Sequence, residues 1–550
     1  MDKKRDKKRR KQSIVAGALT GSAGIFITKA LSLLYIIPFN EIAKDATVFY
    51  SYAYAVYDAV LRVCLAGLPY AIATLVAKYV TKKDFATLKL VKKVSKTIIT
   101  VVGLVSFILM ISFAKPLAYM IVPSDLQSTI YIKNTQTVLI IIAFALIFVP
   151  FLSYYRGFYQ GLKEFEVYSI TEILEKIVRI AFIITASSIC VYAFNMDRIW
   201  AAYMGVASTS ISAIFTIIYF IAFDRKYVLT ETEDSGESIH SKKEIFKELI
   251  KISVPYLLSA LMLSASSLYI LLVFASGLEA YGTSAKLITI YQGIINYQTL
   301  KLSSIPTVIM SGFSLAIIPH ITESVTKRDD RNVSELVHKI LETVNYLSVP
   351  ICFFMLFFAK EVYYIMYGNY YLDIGTNMLS KSIVCVFFMN FFGTITSTLI
   401  ALQLRKIYLV LEFTRLLFML IFFKPLLLNF GVNGYFIALA SQYILYAIVG
   451  VSIIKSKYQI NIRRMFDTFT RSWMGAIPMF IIAAIRFQFE LNIGAMNRFV
   501  VLIMTGLMFV ICMSSYLFIT NRLNVVSELF SITLNKETLK NFKNKLLNRE

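Results

Sequence analysis

Long apolar runs, cut by polar and basic segments, divide the chain into fourteen candidate spans: 14–39, 49–77, 97–121, 131–155, 167–193, 199–223, 252–276, 287–318, 341–366, 376–402, 407–428, 431–454, 472–489 and 499–520. A helix needs about 20 residues to cross a hydrocarbon core of ~30 Å. In hydrocarbon a helix pairs all of its own backbone, whereas irregular chain does not. The pattern therefore predicts an all-α polytopic membrane protein of about fourteen helices. Three spans fit less well: 49–77 is polar in places, 287–318 is long, and 472–489 is short.

A polar segment at 224–251, rich in Glu, Ser and Lys, separates six spans from the eight that follow. The expected organisation is a basic cytoplasmic tail (1–13), a six-helix lobe (14–223), a cytoplasmic linker (224–251), a second six-helix lobe (252–455), two extra helices (456–520) and a second basic tail (521–550). The two halves share a weak echo. Gln160-Gly161-Leu162-Lys163 precedes a span with Glu175 and Arg179, and Gln403-Leu404-Arg405-Lys406 precedes one with Glu412 and Arg415. Parallel repeats of this kind are a transporter architecture, with the substrate between the lobes.

Counting Lys and Arg on alternate sides gives 40 with the N-terminus in the cytoplasm, against 8 on the opposite side. Cytoplasmic loops carry the basic excess, so both termini are expected inside. The net charge of +23 is thereby explained as topology. The run Lys3 to Lys11 is read as an anchor beside anionic head groups rather than a nucleic-acid surface. Segments 78–96 and 521–550 mix basic and apolar residues as membrane-surface amphipathic helices do.

Composition agrees with the pattern. The chain is 57% hydrophobic and 16% charged, with mean hydropathy +0.67, where soluble domains carry about 25% charged residues. Cys64, Cys190, Cys352, Cys385 and Cys512 are widely spaced in or beside apolar stretches, and the three histidines lie far apart. Neither set has metal-ligand spacing, so no metal and no cofactor is expected.

Ionisable residues inside spans are costly unless paired or wet. The deeper ones are Lys29, Asp58, Arg62, Glu172, Glu175, Lys176, Arg179, Lys301, Glu412 and Arg415. Asp58 with Arg62, Glu172 with Lys176 and Glu175 with Arg179 stand four apart in the favourable acid-first order, and Glu412 with Arg415 three apart. These pairs read as braces or gates. Lys29 and Lys301 have no acidic residue three or four positions away, so each is expected to face a hydrated cavity. Lys381 and Arg486 sit near span ends and are expected to snorkel. A cavity with surplus positive charge suits an anion, phosphate above all. Walker A, H-E-x-x-H and G-x-S-x-G sequences are absent.

Residues 152–180, LSYYRGFYQGLKEFEVYSITEILEKIVRI, resemble the R-G-x-x-Q-G element and E-x-x-x-R helix of the SpoVB and MurJ branch of the multidrug/oligosaccharidyl-lipid/polysaccharide exporters. Residues 296–323, NYQTLKLSSIPTVIMSGFSLAIIPHITE, are similar to that branch's eighth helix, and IFITKALSLLYIIPF at 25–39 to its first. The resemblance implies a V-shaped pair of six-helix lobes, and flipping of lipid II or a similar lipid-linked oligosaccharide to the outer leaflet. It places Lys29 and Lys301 at basic positions of the first and eighth helices, and Arg62 at or beside an arginine of the second. Tyr35 stands where the family has a second arginine, and Lys301 replaces an arginine, which gives up bidentate phosphate recognition. The last two helices would form a groove for the lipid tail.

The expected function is alternating-access flipping in the bacterial cytoplasmic membrane, by a transporter and not an enzyme. Pyrophosphate would be held by Lys29, Arg62 and Lys301. The expected partners are the lipid-linked anionic substrate, membrane lipid and cell-wall synthesis proteins, with the chain itself a monomer. The alternative is a cation-coupled multidrug exporter of the same superfamily, which would want unpaired acids in its cavity. An enzyme acting on polyprenyl-phosphate sugars would want charged extramembrane loops, and the outer loops are short.

Overall fold

The computed structural model describes residues 31, 35–162, 164–227, 240–488 and 492–530, with the side chains of 129, 165–166, 224–227, 308–319 and 530 left aside. Among the described residues all regular structure is helical. The first part of the chain forms α1 (Ile36–Ala43), α2 (Thr47–Cys64), α3 (Leu68–Thr81), α4 (Phe85–Ile121), α5 (Thr129–Ala143), α6 (Ala145–Gly161), α7 (Phe165–Ser188), α8 (Ile199–Tyr227), α9 (Lys242–Ala280) and α10 (Ala285–Gly293). The remainder forms α11 (Leu300–Thr326), α12 (Asp330–Phe357), α13 (Ala359–Tyr367), α14 (Leu372–Ala401), α15 (Arg405–Phe430), α16 (Val432–Tyr458), α17 (Ile462–Gly475), α18 (Ile477–Gln488), α19 (Arg498–Arg522) and α20 (Val525–Phe530).

Helix starts follow local capping chemistry. The Asp84 side chain accepts from Thr87 N at 2.9 Å before α4, and Asp329 does the same for Asn332 N at 3.0 Å before α12. Ser241 and Glu244 close a reciprocal capping box at the start of α9.

The three spans that fitted less well are each broken. Gly67, at φ +70°, separates α2 from α3, and a Cβ there would stand 2.8 Å from that of Tyr256. A π-turn at Ile294–Thr299 joins α10 to α11, and Ala476 divides α17 from α18. Segment 78–96, expected as one surface helix, is instead the end of α3, a turn and the first turns of α4.

Ten described helical stretches are long and apolar enough to cross a membrane. Their outward faces carry exposed Ile108, Phe113, Phe215, Ile448, Leu507 and Val510, among others. A soluble surface would not display so much contiguous apolar area. α7, α11 and α15, which carry most of the candidate charges, lie on the expected spans 167–193, 287–318 and 407–428.

The described chain forms two compact units, one of residues up to Tyr297 with Glu412–Gly434, the other of Gln298–Leu411 with Tyr435 onward. This division does not fall at the 224–251 linker, because α9 packs on α2, α4 and α3 of the first unit. That unit's core holds Leu75, Val76, Val91, Leu152, Phe220 and Leu249. One core of the second unit holds Val333, Val337, Ile340, Ile395 and Leu399. Cys64, Cys352, Cys385 and Cys512 are buried as expected, and Cys190 half-buried.

Candidate functional site

The densest charge cluster lies in the first unit, where α7 carries Glu172, Glu175, Lys176 and Arg179 along four consecutive positions of an i, i+3, i+4 pattern. Arg179 Nη2 donates to Glu175 Oε1 at 2.7 Å, the pairing that the spacing predicts. The second oxygen of Glu175 accepts from Arg156 Nη2 at 2.8 Å. Arg156 also reaches Glu172 at 3.7 Å, and Glu172 accepts from the Tyr168 hydroxyl at 3.3 Å. Arg179 Nε reaches Ser212 Oγ on α8 at 3.4 Å. One carboxylate thus holds two guanidiniums away from lipid. Glu172, expected to pair with Lys176 along α7, meets Arg156 of α6 across helices.

Arg156 lies on α6, between the expected spans 131–155 and 167–193, so no spacing within a span connects it to Glu175. The signal was present in the Arg156-Gly157-Phe158-Tyr159-Gln160-Gly161 element. Its glycines have a packing cause: a Cβ on Gly157 would stand 2.6 Å from Pro69 O, and one on Gly161 2.6 Å from the Val76 Cβ. Both glycines face α3, and their close approach sets α6 where Arg156 can meet Glu175.

Asp58 and Arg62 on α2 also pair, at 3.0 Å. Here the side chains are 60% and 41% exposed, and Arg62 Nη2 reaches Ser267 Oγ at 3.4 Å. The pair forms as the spacing predicts, and its exposure sets it apart from the enclosed pair on α7. A pair so exposed adds little to stability, and a charge uncovered within a span requires water rather than hydrocarbon. Nearby Tyr35 is buried against Phe39, its hydroxyl 3.4 Å from that of Tyr50. It acts there as core.

Glu412 and Arg415 on α15 pair at 3.0 Å, both buried, as a brace would. Lys301, on α11 of the second unit, is half-buried and takes part in an interaction of its own. Lys29 lies outside the described residues.

Arg486 was expected to snorkel, and the structure corrects this. It is buried on α18 and paired with the buried Glu361 of α13, 125 positions away in the chain. The pair borders a cavity of about 280 Å³ lined by Phe358, Ile482, Ile485, Met504, Met508 and Ile511. Among the described residues no group of three His, Cys, Asp or Glu could hold a metal ion.

The family described as "Polysaccharide biosynthesis protein" matches residues 14–323. The chain is 24% identical over 465 residues to the "Lipid II flippase MurJ" of Bacillus subtilis (strain 168), covering 82% of this chain and 85% of that protein. It is 24% identical over 399 residues to "Stage V sporulation protein B" of the same organism, covering 72% and 74%. Among solved structures, a multidrug resistance MATE family transporter of the MOP superfamily, in an inward-facing conformation, superposes with a TM-score of 0.63. That match covers 80% of this chain and 98% of the transporter at 14% identity, and it shows the fold.

Proposed function

The chain belongs to the polysaccharide biosynthesis protein family, and from that premise we propose that it flips a lipid-linked oligosaccharide, lipid II in the first instance, across the bacterial cytoplasmic membrane. It is a multi-pass transporter and not an enzyme. The observation that carries the substrate class is Arg62. It is accessible within a candidate span, whereas Glu175–Arg179 and Glu412–Arg415 are enclosed by protein. An accessible guanidinium in a low-dielectric setting attracts an anion and can hold diphosphate oxygens by two parallel hydrogen bonds.

In this reading Arg62, Lys29 and Lys301 hold the pyrophosphate while the polyprenyl tail stays in lipid, and alternating access carries the head group outward. Both termini lie in the cytoplasm, the side favoured by 40 of the Lys and Arg residues against 8. Likeness to the B. subtilis lipid II flippase along most of both chains supports lipid II over other glycans. The multidrug alternative rests on a shared fold and on no acidic cavity, and is set aside.

Depletion of the protein, followed by analysis of lipid-linked precursors, tests the reading. Accumulated lipid II is the expected result. An unchanged lipid II pool with accumulated capsule or teichoic precursors would move the assignment to another glycan. In a flippase-depleted cell, Lys29→Ala and Lys301→Ala should each fail to complement at normal membrane abundance. Lys→Arg should retain part of the function, and Lys→Glu should be worse than Ala because repulsion is added.

A further inference from the structure

The cavity beside Glu361 and Arg486 offers donors that the ion pair does not use. It lies wholly within the second unit, walled mainly by α13, α18 and α19, with a volume of about 280 Å³. Glu361 and Arg486 stand in its wall and neutralise each other. Arg486 is 9% exposed, yet its Nε has no hydrogen-bond partner among the described residues. Thr505, on α19, is the second such group. Other buried threonines in the spans close on the carbonyl four residues back, as Thr398 does on Thr394 O and Thr520 on Tyr516 O, each at 2.8 Å. The Thr505 hydroxyl is buried without a partner among the described residues and lines the cavity instead. At membrane depth an unmet donor is costly, so both groups call for an acceptor.

The rest of the wall is apolar, and Ile482, Ile485, Met508 and Ile511 continue it along α18 and α19. Ile485 and Ile511 are also exposed on the surface of the unit, so the cavity opens sideways to the hydrocarbon of the membrane. An apolar cavity of about 150 Å³ already binds benzene, and this larger one has room for a segment of acyl chain. Glu361 already balances Arg486, so an anion would bring uncompensated charge into a low-dielectric site. The acceptor wanted is neutral. Arg486 lies two residues before the end of α18, at the edge of its span, the depth at which a bilayer joins its chains to its head groups.

We propose that this cavity binds one acyl chain of a bilayer glycerolipid, whose ester carbonyls accept from Arg486 Nε and the Thr505 hydroxyl. An ester carbonyl is a neutral acceptor joined directly to an apolar chain, the same pairing that the wall presents. The polyprenyl tail of a lipid-linked sugar is hydrocarbon up to its diphosphate and would leave both donors unmet. The site is therefore independent of the oligosaccharide reading.

The test compares phosphatidylglycerol carrying two ester-linked chains with its diether analogue, alike in head group and chain length. Each is titrated into the delipidated full-length protein in detergent. Bound lipids are counted by native mass spectrometry, and the melting temperature is followed in parallel. One tightly held ester lipid per chain is expected, with the diether bound about tenfold more weakly. Phosphatidylethanolamine with the same ester chains should bind as phosphatidylglycerol does, because the head group is not read. Thr505→Val should weaken the ester lipid about fivefold. Its lipid-free melting temperature should equal or exceed that of the wild type, since a buried unmet hydroxyl is gone. Met508→Trp, which fills the cavity, should remove tight binding of both lipids. Should that variant fail to accumulate, Thr505→Val and the diether carry the test. Equal affinity for ester and diether overturns the proposal, as does wild-type affinity for the ester lipid in Thr505→Val. A strong preference between the two head groups overturns it as well. So does displacement of the ester lipid by undecaprenyl phosphate, which would give the cavity to the tail of the carrier.

Discussion

Asp58–Arg62 on α2 and Glu175–Arg179 on α7 have the same spacing, the same acid-first order and contacts of 3.0 and 2.7 Å. They differ in what surrounds them. The first pair is 60% and 41% exposed, the second 11% and 14%. The exposed pair ends with itself and a serine hydroxyl. The enclosed pair recruits Arg156 and, through it, Glu172. Spacing makes an ion pair, but environment decides its use. A charge shut in protein must have every lone pair and proton answered, so it ties helices together. A charge open to water inside a span stays available to a ligand.

The largest expected effect comes from Glu175→Gln, which leaves Arg156 and Arg179 enclosed without their shared counter-ion. Removing one partner of a buried pair costs roughly 3–5 kcal/mol. Membrane abundance and melting temperature should fall sharply. Glu175→Gln with Arg179→Gln should recover part of the loss, because fewer charges are then stranded. Wild-type abundance in Glu175→Gln would break the comparison at its firmer end.

The Glu361–Arg486 pair sharpens the same comparison. It is at least as buried as Glu175–Arg179 but has no third charged partner among the described residues. Glu361→Gln should destabilise by less than Glu175→Gln, on the order of 3 kcal/mol, because it strands one guanidinium rather than two. The paired change Glu361→Gln with Arg486→Gln should restore much of that. If the two single variants lose equally, burial alone sets the cost and the number of charges tied together does not matter.

Arg62→Ala should behave in the opposite sense. Stability should change by about 0–1 kcal/mol, as for surface pairs, and abundance should hold while complementation fails. Arg62→Lys should restore part of the activity, charge being kept and the planar fork lost. A fall in abundance matching that of Glu175→Gln would return Arg62 to the structural class.

These contrasts mark what the amino-acid order could disclose. The spans were legible because apolar runs are long and membrane helices pair their own backbone, and the breaks at Gly67 and near 294–299 fell within spans that already fitted poorly. The pairs within α2, α7 and α15 were legible because i, i+4 and i, i+3 neighbours meet on any helix. Arg156–Glu175 and Glu361–Arg486 were not, because each joins different helices and no periodicity connects positions 19 or 125 apart. Nor could spacing show that Asp58–Arg62 is open and Glu175–Arg179 closed: that depends on what α6 and α8 bring against α7, and on Gly157 letting α6 come so near Pro69. The burial of Tyr35 is likewise a tertiary fact.

The smallest effect, and the third environment, lies on α20, outside the spans, where Glu528 is clasped by Arg471 of α17. Its Nη1 and Nη2 reach the two carboxylate oxygens at 2.8 Å each, and Nη1 also donates to Leu523 O at 3.0 Å. The Arg471 hydrogen bonds, aided by its charge, hold the Glu528 carboxyl below its ordinary range. A carboxyl whose folded pKa is lowered stabilises the fold above its unfolded value, near ~4.3 for Glu, and loses that contribution as pH falls through the folded value. Glu528 is about half exposed, so the contribution stays within about 0–1 kcal/mol after solvent screening. The melting temperature of the wild type minus that of Glu528→Gln should be small and constant from pH 7 to about 5, then shrink toward zero as the carboxyl protonates. A difference already zero at neutral pH would mean that Val525, Val526 and Leu529, all buried, dock α20 without the ion pair. A difference that persists unchanged at the lowest pH would mean that the substitution acts through packing and not through charge.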